Sequence, residues 1–304
     1  MSLTVAVCIT THNRRAELVR TLNEIGQLDP PPHQILVAAD GCTDGTVEWL
    51  QKIHPRVTLI VHEEARGSIP SRNELAAACR CDVFVSLDDD SYPIERDCVA
   101  RVCALFAENE RLAVASFPQR TDEHPETLTT KSFGESHFVG SYANSAAAIR
   151  ASAFRQLGGY PHFFFHAYEE PDFALRCVAA GWEVRFETSV TVRHHFTATE
   201  RNEIRTHQRH SRNELWSVML RCPTPQLFAV VAFRVVRQFG YAWRRGMGWV
   251  IREPRWWVAF LGGVPRCLEA REPLPWDRYA AWMRLVRTPI HDRAEWAARF
   301  SLPR

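Results

Sequence analysis

Three consecutive carboxylates, Asp88, Asp89 and Asp90, close the apolar run VFVSLDDDSYP between Val83 and Pro93. Like charges this close repel one another, and a bound divalent cation offsets that repulsion. The competing role is an acidic helix start, because Asp favours caps and first turns. Cysteine offers little to set beside them. Nine are scattered without a repeated metal-ligand spacing, several in apolar runs, as reduced buried thiols are. No paired base marks any of them as a nucleophile.

The elements that must position the carboxylates follow from periodicity. Val5–Thr10, Gln34–Ala39, Val57–Val61 and Val83–Leu87 read as short apolar strands, and Leu112–Phe117 as a further one. Between them, Leu18, Leu22 and Ile25 have helical spacing, Thr43 or Asp44 caps a helix reaching Leu50, Ser71 caps the next, and Glu95–Asn109 is a fourth. Alternating strands and helices predict an α/β fold with a mainly parallel central sheet covered on both faces. Ligands of such sheets collect beyond the carboxyl ends of the strands. THNRR, ADGCTDG and DDDSYP are therefore expected to line one cleft. The chain has neither GxGxxG after the first strand nor GxxxxGK[ST], which disfavours dinucleotide dehydrogenases and P-loop ATPases. Later segments read as a short helix within Ile149–Leu157 and a helix over Glu170–Ala180, then strands over Trp182–Phe186 and Val190–His194.

In order and spacing, AVCITTHNR, ILVAADGCTDGT, GSIPSRNELA, FVSLDDDSYP, GGYPHFFFHAYEEPDFALRCVAAGW and VRHH together resemble glycosyltransferase family 2. They cover nearly all of residues 3–195. The resemblance implies a nucleotide-binding glycosyltransferase A-type fold and a nucleoside-diphosphate sugar donor. The acceptor would be a saccharide or a lipid-linked saccharide, in polysaccharide or glycolipid assembly. It gives Asp88 and Asp90 to a divalent metal, Mg²⁺ or Mn²⁺, with His194 as a further ligand, and Asp89 to the donor sugar or ribose. A leaving diphosphate gains negative charge as the sugar–oxygen bond breaks, which a hard cation stabilises. Thr10, Thr11 and Arg14 fall on the nucleoside side, with a minor part for His12. Asp40 is a nucleotide contact, although Ala39 stands where the family often has another acid. Arg66 and Arg72 flank a loop facing the diphosphate, Asn73 anchors that loop, and Gly67 permits close backbone approach.

The resemblance also makes YEEPDFALR the acceptor side. Glu170 takes the usual aspartate position and is the expected base, with Glu169 and Asp172 orienting the acceptor or the loop; helix N-terminal charge compensation is their alternative role. Transfer would invert the anomeric centre without a protein nucleophile. A retaining transferase and a binding protein without turnover are the competing functions. Glycoside hydrolysis fits poorly, because its two carboxylates must flank one glycosidic bond.

Residues 1–200 carry 18 Lys/Arg against 27 Asp/Glu, whereas 201–304 carry 19 against 8 and eight of the ten Trp. That asymmetry predicts a catalytic domain over 1–200 and a basic, Trp-rich helical extension over 201–304. The extension could meet an anionic membrane surface or a second copy of the chain, with ordinary helical packing as the alternative. Nucleic acid is disfavoured, since no recognised binding module accompanies the arginines. The N-terminus lacks the pattern of a signal peptide and no apolar run reaches 18 residues. The expected location is cytoplasmic, either free or peripheral on the cytoplasmic face of a membrane.

Overall fold

The computed structural model describes residues 3–195 and 202–300. In the first part, strands β1 (Val5–Thr11), β2 (Gln34–Asp40), β3 (Thr58–His62) and β4 (Val83–Asp88) alternate with helices α1 (Arg15–Ile25), α2 (Thr46–Ile53) and α3 (Ser68–Ala78). The chain continues through β5 (Ser91–Pro93), α4 (Cys98–Glu108), β6 (Leu112–Ser116), β7 (Gln119–Thr121), α5 (Glu126–Thr129) and β8 (His137–Phe138). Then come β9 (Ala147–Arg150), α6 (Ala151–Gln156), α7 (Glu169–Ala179), β10 (Glu183–Phe186) and β11 (Val192–His194). Helices α8 (Glu203–Arg221), α9 (Gln226–Arg245), α10 (Met247–Val250), α11 (Glu253–Glu269), α12 (Trp276–Leu285) and α13 (Arg293–Phe300) complete it.

The central sheet has the order β3-β2-β1-β4-β9-β6-β10-β8. Its pairs are parallel from β3 to β4 and again between β6 and β10; β9 runs antiparallel to both its neighbours, as β8 does to β10. The expected mainly parallel sheet is thus present, with the reversed strand β9 inserted just before the short helix expected within Ile149–Leu157, which forms as α6. Ala147–Ile149 is too short and too bland to announce a strand. Its pairing with β4 and β6 is a long-range decision.

Burial on both faces explains the unbroken apolar strands. Val5, Val7 and Ile9 point to the layer holding Leu18, Leu22 and Ile25 of α1 and Val99, Val102 and Phe106 of α4. Ala6 and Cys8 point to the opposite layer, with Ile69 and Leu75 of α3 and Phe173 and Leu175 of α7. Each fully buried Leu or Ile contributes about 1.5–3 kcal/mol over its exposed state. The helix expected from Ser71 begins three residues earlier, at Ser68. The Ser71 hydroxyl donates to the Gly67 carbonyl within the helix, at 3.0 Å, and is not its cap. Asp44 does act at its helix start, accepting from the Thr46 amide at 3.2 Å.

The C-terminal helices pack into the second layer. Trp216, Tyr279, Trp282, Trp296 and Phe300 join the cluster that includes Phe138 and Phe173. Trp296 stacks on Phe138 at 4.3 Å between ring centres, and Ile290 adds a bridge to Phe138 at the sheet edge. The expected boundary at residue 200 lies outside the described residues.

A buried ionic joint ties α7 to α8. Asp172 is fully buried; its Oδ2 accepts from Arg176 Nε at 2.9 Å and its Oδ1 from Ser217 at 2.8 Å and Arg221 Nε at 3.4 Å. Removing one partner strands the others' charge away from water. Asp172→Ala should therefore cost about 3–5 kcal/mol in urea unfolding. A loss under about 1 kcal/mol, the range of exposed pairs, would contradict this joint.

Candidate functional site

Parallel register brings the three predicted loops to one edge. Thr10 lies opposite Asp88, Thr11 opposite Ala39, and Asp40 opposite His62. A small second sheet, ordered β5-β11-β7, then folds the later chain back over this edge. It pairs His194 with Ser91 on one side and Thr121 on the other. Of its strands only β11 is expected from the sequence, as Val190–His194; the short β5 and β7 carry no local signal.

The result is a compact set of metal-type donors. One ligand atom each from Asp88, Asp90 and His194 lies within 4.8 Å of the others. His194 Nε2 is 3.2 Å from Asp90 Oδ1, and Nδ1 is held by Gln119 Oε1 at 2.8 Å. That second contact orients the ring, as outer partners of metal-ligating histidines do. His195 faces elsewhere, bonding Tyr92 through Nε2 at 3.0 Å, so strand alternation separates the two histidines. Two hard oxygens and an imidazole suit Mn²⁺ or Mg²⁺.

Arginines compensate the acidic run from both sides. Arg14 contacts Asp89 Oδ1 at 2.9 Å and Asp90 Oδ2 at 2.6 Å, while Arg72 contacts Asp88 Oδ1 at 2.5 Å. Burial pushes the Asp90 carboxyl up, but His194 and Arg14 outweigh it and hold Asp90 below the usual range. For Asp89 burial wins, raising it to about 7 against the pull of Arg14.

Three residues expected at the substrates are bonded to other parts of the protein. Asp89, expected against the donor, is 3% exposed and takes the Thr11 hydroxyl at 2.8 Å besides Arg14. It fastens the β1 exit loop to β4. Asp40, expected against the nucleotide, receives the Arg66 and Gly67 amides at 2.8 Å each and His62 Nδ1 at 2.8 Å. Those bonds fold residues 63–67 over the sheet edge. Asp172, expected near the acceptor, serves the joint with α8 described above.

Of the remaining sequence-predicted residues, Thr10 is buried at the strand end and Arg66 is exposed, with its guanidinium 3.5 Å from Glu74. His12 Nδ1 lies 2.5 Å from the Asp40 carbonyl. Asn73 anchors its loop as expected, exchanging bonds with the Tyr160 amide and carbonyl at 2.9 Å.

Arg72 reaches across the cleft floor, since its other terminal nitrogen donates to Glu169 Oε1 at 3.2 Å. It joins the metal-type cluster to the start of α7. There Asn144 also donates to Glu169, at 3.2 Å, and its amide to Glu170 Oε1 at 3.4 Å. Glu170 stays partly exposed. Burial first, then the Glu169 charge, raise its carboxyl to about 8, with Arg72 opposing. Asn144 in turn accepts from Tyr160 at 2.7 Å, whose hydroxyl meets that of Tyr142 at 2.7 Å. Sequence reasoning missed Asn144, Tyr160, Tyr142 and Gln119. Isolated polar residues carry no mark of their eventual partners.

The loop before Glu169 is strained and clamped. Phe165, Ala167 and Tyr168 have φ of 68°, 73° and 70°, a conformation costly for side-chain-bearing residues. Asn213 of α8 compensates by donating from Nδ2 to the carbonyls of Phe164, His166 and Ala167 at 3.0, 2.9 and 2.7 Å. Gly67 meets the same loop: a Cβ there would lie 2.2 Å from the Phe165 carbonyl oxygen, at a φ of +97°. Gly67→Ala combines overlap with backbone strain and should lower unfolding free energy by about 2–4 kcal/mol. Wild-type stability in denaturant titration would remove this close approach.

Beside Gln119 opens a groove of about 510 Å³, whose walls include Phe133, Tyr142, Phe186, Ser141 and Thr127. Arg120 shapes its outer loop, donating to the carbonyls of Thr127, Leu128 and Thr130 and lying over the Phe133 ring.

Known proteins share this fold. The solved structure of S. aureus TarS residues 1–349 with UDP-GlcNAc superposes with a TM-score of 0.62 at 14% identity, over 88% of this chain and 84% of that one. A mannosyltransferase from Pyrobaculum calidifontis, in complex with GDP-Man and Mn²⁺, gives 0.57 at 17% identity, over 86% of this chain and 76% of that one. Both share the fold. In sequence, the O-antigen chain rhamnosyltransferase WbaN of Salmonella anatum is 25% identical over 189 residues, 57% of this chain. The match spans 59% of that relative's length. The family model described as glycosyl transferase family 2 matches residues 6–165, more than half of the chain. The chain belongs to glycosyl transferase family 2.

Proposed function

We propose that the chain transfers a sugar from a nucleoside-diphosphate donor to a saccharide hydroxyl, with inversion at the anomeric carbon and with a divalent metal. The observation that carries this reading is the pairing, across Arg72, of the Asp88–Asp90–His194 cluster with a carboxylate of raised proton affinity, Glu170.

Asp88, Asp90 and His194 would hold the cation. When bound, it supplies charge neutralisation to the leaving diphosphate. Arg14, beside the cluster, adds positive potential on the same side. The acceptor oxygen attacks the anomeric carbon opposite the leaving group, and Glu170 accepts its proton as the sugar–diphosphate bond breaks. Asn144 and Arg72 hold the Glu169–Glu170 pair in place, leaving Glu170 the more exposed of the two. The aromatic-walled groove beside Gln119 fits an acceptor saccharide, whose ring faces are apolar and whose edges are polar. The name of the rhamnosyltransferase relative favours a growing polysaccharide as that acceptor.

The test is product stereochemistry. The purified chain is screened with several sugar nucleotides, with Mg²⁺ or Mn²⁺, and the new glycosidic bond is read by proton NMR. A configuration opposite to the donor's is expected. Retention would replace the mechanism, and metal-dependent donor binding without transfer to any acceptor would favour a binding protein.

A further inference from the structure

Helix α9 is two-sided in an unusual way. Phe228, Ala232, Val236, Phe239 and Trp243 recur at intervals of three or four residues, so they share one face. That face looks outward. Phe228 and Val236 are each 71% exposed, Trp243 is 62% and the adjacent Phe233 is 52%. Leu227, Val230, Gln238 and Ala242 occupy the opposite, buried side. There Arg234, Arg237 and Gln238 grip Glu214 of α8, so the outward face is fixed rather than a loose end. Met247 and Ile251 extend the exposed apolar surface past the helix end. A monomer rarely leaves so large an apolar stripe in water without a partner.

We propose that this face lies in the interfacial layer of an anionic lipid surface. Charge selects that occupant. No acidic residue occurs on α9, Arg244 and Arg245 close it, and residues 201–304 hold 19 Lys/Arg against 8 Asp/Glu. A second copy would bring two acid-free, arginine-bearing helices together, so that charge repulsion would oppose the burial of their apolar faces. An anionic surface satisfies both features, because apolar side chains enter the headgroup boundary while arginines meet lipid charge. Trp243, near the end of the stripe, suits that boundary. Among the described residues no helix is long and apolar enough to cross a membrane, and α9 is packed along one side on α8. It therefore lies on the surface. Its docking would fix the height of the cleft as well: Glu214, gripped by α9, also accepts from Tyr168 at 3.4 Å, next to Glu169.

The full chain is sedimented with vesicles of phosphatidylcholine alone and of phosphatidylcholine mixed with phosphatidylglycerol. Binding is expected to the mixed vesicles, weakening with added salt. The surface variant Phe228→Ser/Val236→Ser/Trp243→Ser should keep the wild-type melting temperature and lose at least ~30-fold in partitioning, since three large apolar groups no longer enter the boundary. Equal wild-type binding to both vesicle types would overturn the charge selection whatever the variant does. Undiminished binding by the folded variant would overturn the assignment of the face. Absent vesicle binding, with a wild-type dimer that the variant loses, would give the face to a second copy and also overturn the proposal.

Discussion

Glu170→Gln is expected to leave donor affinity nearly unchanged while slowing transfer by about 10²–10⁴-fold, the usual worth of a positioned general base. The amide keeps the size of the side chain and can still meet the Asn144 region, but it cannot take a proton. Donor affinity should survive because Glu170 belongs to the α7 side of the cleft, separated from the metal-type cluster by Arg72. A pH profile gives a second, independent reading. The base must be ionised to act, and burial with the Glu169 charge raises Glu170 to about 8. Transfer by the native chain should therefore climb as pH rises through neutrality and level off above about 8, and that limb should vanish in the glutamine variant. Normal turnover by Glu170→Gln would remove the residue from the mechanism. Glu170→Asp has a distinct meaning, because the related pattern favours aspartate here. A carboxylate withdrawn by one methylene should retain part of the rate, since reach rather than chemistry has changed.

The second large effect is expected for Asp90→Asn. It keeps the shape of the side chain and removes the charge that faces His194 at 3.2 Å and Arg14 at 2.6 Å. Changes in the outer partners of a metal site already cost about 10–100-fold in metal affinity, so losing a ligand charge should cost at least ~100-fold. Titrating Mn²⁺ against donor binding by calorimetry reads this directly. Donor binding should lose its metal dependence, whereas Glu170→Gln should keep it. An unchanged metal titration would exclude Asp90 as a ligand. Arg14 complicates only the magnitude, because freeing it from one carboxylate leaves it paired with Asp89.

The two variants separate the two sides of the cleft, and Arg72 connects them. It touches Asp88 and Glu169 at once, so it was legible in the sequence only as a basic residue near a glycine-containing loop. Its chemical position depends on α3, β4 and α7 converging.

By itself the sequence determined the layered α/β plan, the edge where β1, β2 and β4 end, and the acidic run placed there. Those features are local or periodic: continuous apolar strands require cover on both faces, and parallel strands must present their carboxyl ends together. It also determined the residue types of the α7 start, where acids gather at a helix N-terminus. Only the tertiary structure decided which acids face the cleft. Asp89, Asp40 and Asp172 resemble their neighbours in sequence, yet each is consumed by bonds from distant segments. Likewise His194 gains its place from a three-stranded sheet assembled from chain segments far apart in sequence, and β9 enters between β4 and β6 without a pattern of its own. A side chain's type is written locally, but its partners come from long-range packing, and partners decide whether a carboxylate braces the fold or meets a substrate.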